Sequence, residues 1–179
     1  MTLDATAHPS YARNAASPAL SASLAIMAIA AATLAGAWFF QLVLDILPCP
    51  LCLEQRYAYY FAVPFAALVA LAAARGAPRL VLLAGLAVLA LAVLANAWLG
   101  TYHAGVEWGL WQGPTDCTGP IGNFGSAGNL LERLDKVKVV RCDEVQWRFL
   151  GLSLAGYNVL ISLSMAAIAG WGIFRTARR

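Results

Sequence analysis

The run ALSASLAIMAIAAATLAGAWFFQLVL, residues 19–44, contains no ionisable side chain. A helix needs about 20 predominantly apolar residues to cross a bilayer core, with a working range of roughly 17–25. This run therefore reads as a membrane span. It is too long for the h-region of a cleaved signal, which is about 7–15 residues behind a basic n-region, and only Arg13 precedes it. Three further stretches likewise lack Asp, Glu, Lys and Arg: 57–74, 80–106 and 149–174. The second contains Pro64, which kinks rather than ends a helix in lipid.

Composition agrees. Of 179 residues, 61% are apolar and 12% charged, about half the charged share of an ordinary globular chain. The formal net charge of +3, with its basic residues scattered, excludes a nucleic-acid surface. The fold class expected is all-α: a four-transmembrane-helix bundle with spans at about 19–44, 57–74, 80–103 and 149–174. Loops would occupy about 45–56 and 104–148. Residues 1–18, with Pro9, Pro18 and several Ser and Ala, read as a mobile tail, and 175–179 as a second tail.

Short loops rich in Lys and Arg stay in the cytoplasm. The segments 1–18, 75–79 and 175–179 hold six basic residues and one acid, Asp4. Loop 45–56 holds Asp45, Glu54 and Arg56, and loop 104–148 balances five basic residues against six acids, Glu107 included. Both termini are expected in the cytoplasm. Both loops then share the opposite, periplasmic face, and these two loops carry all four cysteines: Cys49, Cys52, Cys117 and Cys142. A periplasmic face is one where disulfides persist.

Cys49 and Cys52 form a C-x-x-C with Pro50 between them. Proline suits the first turn of a helix, which places Cys49 near an N-cap, where unpaired N–H groups and the helix dipole lower a thiol's pKa. A helix starting there puts Arg56 four residues after Cys52, on the same face. Its guanidinium can serve a thiolate or a carbonyl oxygen, or can simply snorkel to the headgroups. A zinc site fits poorly, because Cys117 and Cys142 lie about 24 residues apart without a histidine cluster. A purely structural Cys117–Cys142 disulfide would stabilise its loop by about 3.5 kcal/mol. A C-x-x-C ring is too small to brace distant segments and is better suited to redox work.

In the second loop, Gly113 to Pro120 is rich in turn formers. Leu130, Leu131, Leu134 and Val137 recur at helical spacing, predicting a short amphipathic helix on the membrane surface or packed on the loop itself. Trp108, Trp111 and Trp147 fit an interfacial aromatic belt. His103, at the outer end of the third span, is either a proton carrier or a satisfied interfacial polar residue.

The run Cys49-Pro50-Leu51-Cys52-Leu53-Glu54-Gln55-Arg56 after one span, a second cysteine pair in a longer loop, and Cys142-Asp143-Glu144-Val145-Gln146-Trp147 leading into the fourth span resemble the disulfide bond formation protein B (DsbB) family. The resemblance runs from about Leu20 to Phe174. It implies an inner-membrane oxidoreductase that reoxidises a periplasmic, thioredoxin-fold, DsbA-like dithiol oxidase. Electrons would pass to a membrane quinone, ubiquinone or menaquinone. By position, Cys49 and Cys52 resemble the quinone-coupled pair, with Cys52 as the thiolate that meets the ring, and Arg56 the arginine beside it. Cys117 and Cys142 resemble the pair that accepts electrons from the partner, and His103 a histidine near the quinone. A bundle similar to vitamin K epoxide reductase would carry its C-x-x-C on a late span, not after the first. Without such chemistry, the remaining alternative is a non-enzymatic four-helix protein with bracing disulfides.

Overall fold

The computed structural model describes residues 9–114 and 140–179, with side chains from Pro18 onward. Cys117 and the expected amphipathic helix around Leu130–Val137 lie outside the described residues. Four helices account for most of the rest: α1 (Pro9–Leu42), α2 (Pro50–Ala74), α3 (Arg79–Glu107) and α4 (Leu154–Ala177). All four are long and apolar enough to cross a membrane, the first over Pro18–Leu42. The chain is an all-α membrane protein built as a four-helix transmembrane bundle. Successive helices pack side by side, and α4 closes the ring against α1.

Helix ends depart from the charge-free stretches for local reasons. α1 is helical from Pro9, within the segment expected as a tail, because Ala-rich residues 12–16 favour helix. α2 starts at Pro50 rather than near residue 57. Cys49 is its N-cap, accepting the Cys52 backbone N–H on Sγ at 3.3 Å, and Pro50 occupies the first turn. This start carries Glu54 and Arg56 within the helix. α3 continues four residues past His103 to Glu107. α4 begins after residue 149 because a two-residue hairpin intervenes. Its strands β1 (Arg148–Phe149) and β2 (Leu152–Ser153) pair antiparallel. Leu150 and Gly151 both take positive φ at its tip, the geometry of a tight hairpin turn. Ser153 then caps α4, accepting the Gly156 N–H on Oγ at 3.2 Å.

The bundle interior is made of small and branched side chains: Ala22, Ile26, Ala62, Ala66, Leu86, Leu89, Met165 and Ala169 are fully buried. Leu68, Leu80, Leu91 and Trp98 point outward. This is the arrangement lipid permits, since apolar burial gives no advantage over acyl chains and helices associate by close packing. A Cβ at Gly172 would stand 2.7 Å from that of Ala22, so glycine is what lets α4 approach α1. Midway through the bundle a polar cluster ties three helices. Tyr59 OH donates to Asn158 Oδ1 at 2.5 Å and stands 3.1 Å from Ser162 Oγ, while Asn96 Nδ2 donates to both at 3.2 and 3.1 Å.

Candidate redox site at one end of the bundle

The C-terminal ends of α1 and α3 and the N-terminal ends of α2 and α4 meet at one end of the bundle, and the site is built there. Cys49 is buried. Its Sγ lies 2.9 Å from Cys52 Sγ and 3.6 Å from His103 Nε2, and both thiols are free. The hydrogen bond shared with the Cys52 thiol, helped by His103 and the Cys52 backbone N–H, brings the Cys49 pKa down to about 5 against the opposing effect of burial. The N-cap position makes this possible, because the Cys49 side chain turns back over the helix start. Cys49 is therefore the resting thiolate of the reduced pair.

His103 is buried. Its Nδ1 faces Gln55 Nε2 at 2.8 Å, and its Nε2 faces Glu107 Oε1 at 3.9 Å, one helical turn on. The Ser153 hydroxyl donates to the other Glu107 oxygen. Neither Gln55 nor Glu107 was singled out from the sequence. A signal was present in each, since Gln55 lies one turn after Leu51 in the C-x-x-C and Glu107 lies four after His103.

Arg56 is anchored to α1. Its Nη1 donates to Gln41 Oε1 at 2.7 Å and Nη2 to the Ala37 carbonyl at 3.3 Å, with the guanidinium 5.6 Å from the Trp38 ring centre. Three residues of the neighbouring helix therefore hold this side chain. Arg56, Cys49, Cys52 and His103 all line a cavity of about 620 Å³. Its mostly apolar wall reaches from Ile29 and Ile161, inside the spans, to Arg141 and Glu144 beyond them.

Cys142 is disulfide-bonded, its partner lying outside the described residues. It shares a buried cluster with Cys49, Leu51 and Val106, so members of both cysteine pairs meet. Beside it Arg141 grips Asp143 through Nε at 2.9 Å and Nη2 at 2.5 Å, and reaches Glu144 at 3.7 Å. This contact lowers the pKa of Asp143 and raises that of Arg141. The sequence argued against zinc from the spacing of Cys117 and Cys142. Folding supplies a different third donor, because the donor atoms of Cys49, Cys52 and His103 lie within 4.8 Å of one another.

A family model described as "Disulfide bond formation protein DsbB" matches residues 20–172. Disulfide bond formation protein B of Azoarcus sp. (strain BH72) is 32% identical, covering 84% of this chain and 90% of that protein. The protein of the same name from Marinobacter nauticus is 31% identical over 86% and 89%. That from Nitrosococcus oceani is 34% identical over 83% and 87%. No solved structure matches the chain.

Proposed function

Because this chain belongs to the disulfide bond formation protein DsbB family, we propose that it reoxidises a DsbA-like, thioredoxin-fold dithiol oxidase and passes the electrons to ubiquinone or menaquinone. It would do so as a multi-pass protein of the bacterial inner membrane, with both cysteine loops periplasmic and both termini cytoplasmic. The observation that carries this reading is the apolar cavity within the spans, with Cys52 and Arg56 on its wall and the Cys49 thiolate beside them. Its volume falls in the range of about 300–1,000 Å³ typical of ligand pockets. A lipid-soluble quinone ring suits an apolar wall. Arg56 has five N–H donors, of which two are engaged by α1, leaving others for a carbonyl oxygen.

The thiol steps balance as follows. A partner thiolate attacks Cys117, forming a mixed disulfide and expelling Cys142 as thiolate. Cys142, in the same buried cluster as Cys49, attacks Cys49 of the second disulfide and expels Cys52. The partner's remaining thiol displaces Cys117, which attacks Cys142, restores the outer disulfide and releases Cys49 as thiolate. The partner leaves oxidised, with two electrons now on Cys49 and Cys52. Re-forming the Cys49–Cys52 disulfide from the dithiol gives up two electrons and two protons, and a quinone held in the cavity would be the acceptor for them. A quinone is needed because a DsbA-type couple near about −120 mV is too oxidising for ordinary thiol acceptors, each 30 mV being about 1.4 kcal/mol. His103 sits where it can exchange a proton with Cys49.

Bracing disulfides do not explain Cys49 and Cys52, which sit three residues apart on one helix start and join nothing distant. Purified protein mixed with a reduced thioredoxin-fold partner and a soluble quinone tests the proposal. Quinol should form, and Cys52→Ser should abolish it. No quinol from the intact chain would overturn the reading.

A further inference from the structure

The mechanism uses Cys49, Cys52 and His103 for electrons and protons, yet their geometry suits a second task. With metal–sulfur bonds of about 2.3 Å and metal–nitrogen bonds of about 2.1 Å, a tetrahedral zinc site has S···N edges of about 3.6 Å and S···S edges of about 3.8 Å. Cys49 Sγ and His103 Nε2 already stand 3.6 Å apart. The sulfurs, at 2.9 Å, would need to part by about 0.9 Å on that geometry, which a rotation of Cys52 in the first helical turn supplies.

We propose that the reduced chain binds one thiophilic cation of the zinc class through Cys49 Sγ, Cys52 Sγ and His103 Nε2, whose donor atoms lie within 4.8 Å of one another, with the fourth position left to water, and that the bound ion keeps the pair from being reoxidised. The inference rests on the reading that this pair cycles between dithiol and disulfide. Two thiolates balance a divalent charge. Gln55 acts as the positioning residue. With its amide nitrogen toward Nδ1, as here, the neutral ring carries its proton on Nε2 and offers it to the Cys49 thiolate. With the amide turned over, its oxygen accepts a proton on Nδ1 and Nε2 is left bare for a metal, the outer-partner arrangement common to ligating histidines. In the disulfide form the sulfurs are bonded at about 2.05 Å and no thiolate is available. The site therefore exists only in the reduced state.

The test uses the full chain in detergent, free of quinone, in a Cys117→Ser, Cys142→Ser background that confines thiols to Cys49 and Cys52. Cadmium is added to reduced and oxidised protein, and thiolate-to-cadmium charge-transfer absorbance is followed, with cobalt d–d bands reporting tetrahedral geometry. One ion per reduced chain and none per oxidised chain is expected. Gln55→Ala should weaken binding roughly tenfold, and His103→Ala should weaken it further and change the cobalt spectrum. The loaded pair should also react more slowly with a small disulfide reagent. Equal uptake by the oxidised chain, no uptake, or affinity and spectrum untouched in both variants would overturn the site. An unchanged thiol reaction rate would overturn the block on reoxidation. Because no quinone takes part, a chain that binds cadmium as described but reduces no quinone would overturn the proposed function alone.

Discussion

At the scale of the residue, reactivity turns on where Cys49 falls relative to a helix start. The Cys52 thiol and N–H and the His103 ring all stabilise charge on one sulfur. A lowered pKa means that the thiolate is present above the folded value and lost below it. Alkylation of Cys49 in the reduced chain by iodoacetamide, followed by mass spectrometry, should therefore be nearly flat from pH 8 to 6. It should halve near pH 5 and fall about tenfold per further unit, as simple titration requires. Arg56 gives a second prediction. Arg56→Ala should raise the apparent KM for quinone more than it slows attack by the thiol partner, and Arg56→Lys should not restore it, because an ammonium cannot span both Gln41 and the Ala37 carbonyl. Equal effects on both substrates in steady-state assays would return Arg56 to a purely anchoring role. Cys49, Cys52 and Arg56 were legible because their chemistry is local to eight consecutive residues. The buried placement of His103 against Cys49 was not. It depends on α2 and α3 lying side by side across more than fifty residues of chain, and no local pattern encodes which face of α3 turns inward.

At the scale of the element, spans were easier to read than their ends. Freedom from charge over about 20 residues is a one-dimensional property of the chain, whereas a helix end depends on caps. Glu54 and Arg56 look like loop residues until Cys49 and Pro50 are seen to start α2 ahead of them. Phe149 and Leu150 look like span residues until the hairpin turn claims them. Packing between elements yields a paired prediction. Gly172→Val should lower the thermal or denaturant stability of the detergent-solubilised bundle by about 1–3 kcal/mol, the usual effect of overpacking, since its Cβ would meet Ala22. Gly170→Val, with nothing within 4 Å, should change it little. Asn158→Leu should cost about 1 kcal/mol by removing the shared acceptor of Tyr59 and Asn96, a typical value for a polar contact between membrane helices.

At the scale of the whole molecule, parity governs the arrangement: an even number of spans separates the two cysteine-bearing connections, so both emerge at one end. A reporter enzyme active only outside the cytoplasm, fused after Arg179, should be silent, and the same reporter fused at Gln112 should be active. The reverse result would invert the proposed orientation. A mixed disulfide between Cys117 and a thioredoxin-fold protein should accumulate in a Cys142→Ser background, identifiable by mass spectrometry after non-reducing electrophoresis.

The cavity beside Cys52 is walled largely by α1, α2 and α4, with α3 contributing only its last turn and a half. Chains are synthesised from the N-terminus at roughly 5–20 residues per second, so the final wall arrives last. α4 is the last helix to be made, so the cavity beside Cys52 lacks one side until Leu154 and the residues after it join the bundle. A chain truncated before Leu154 should therefore keep the C-x-x-C and lose the enclosure beside it.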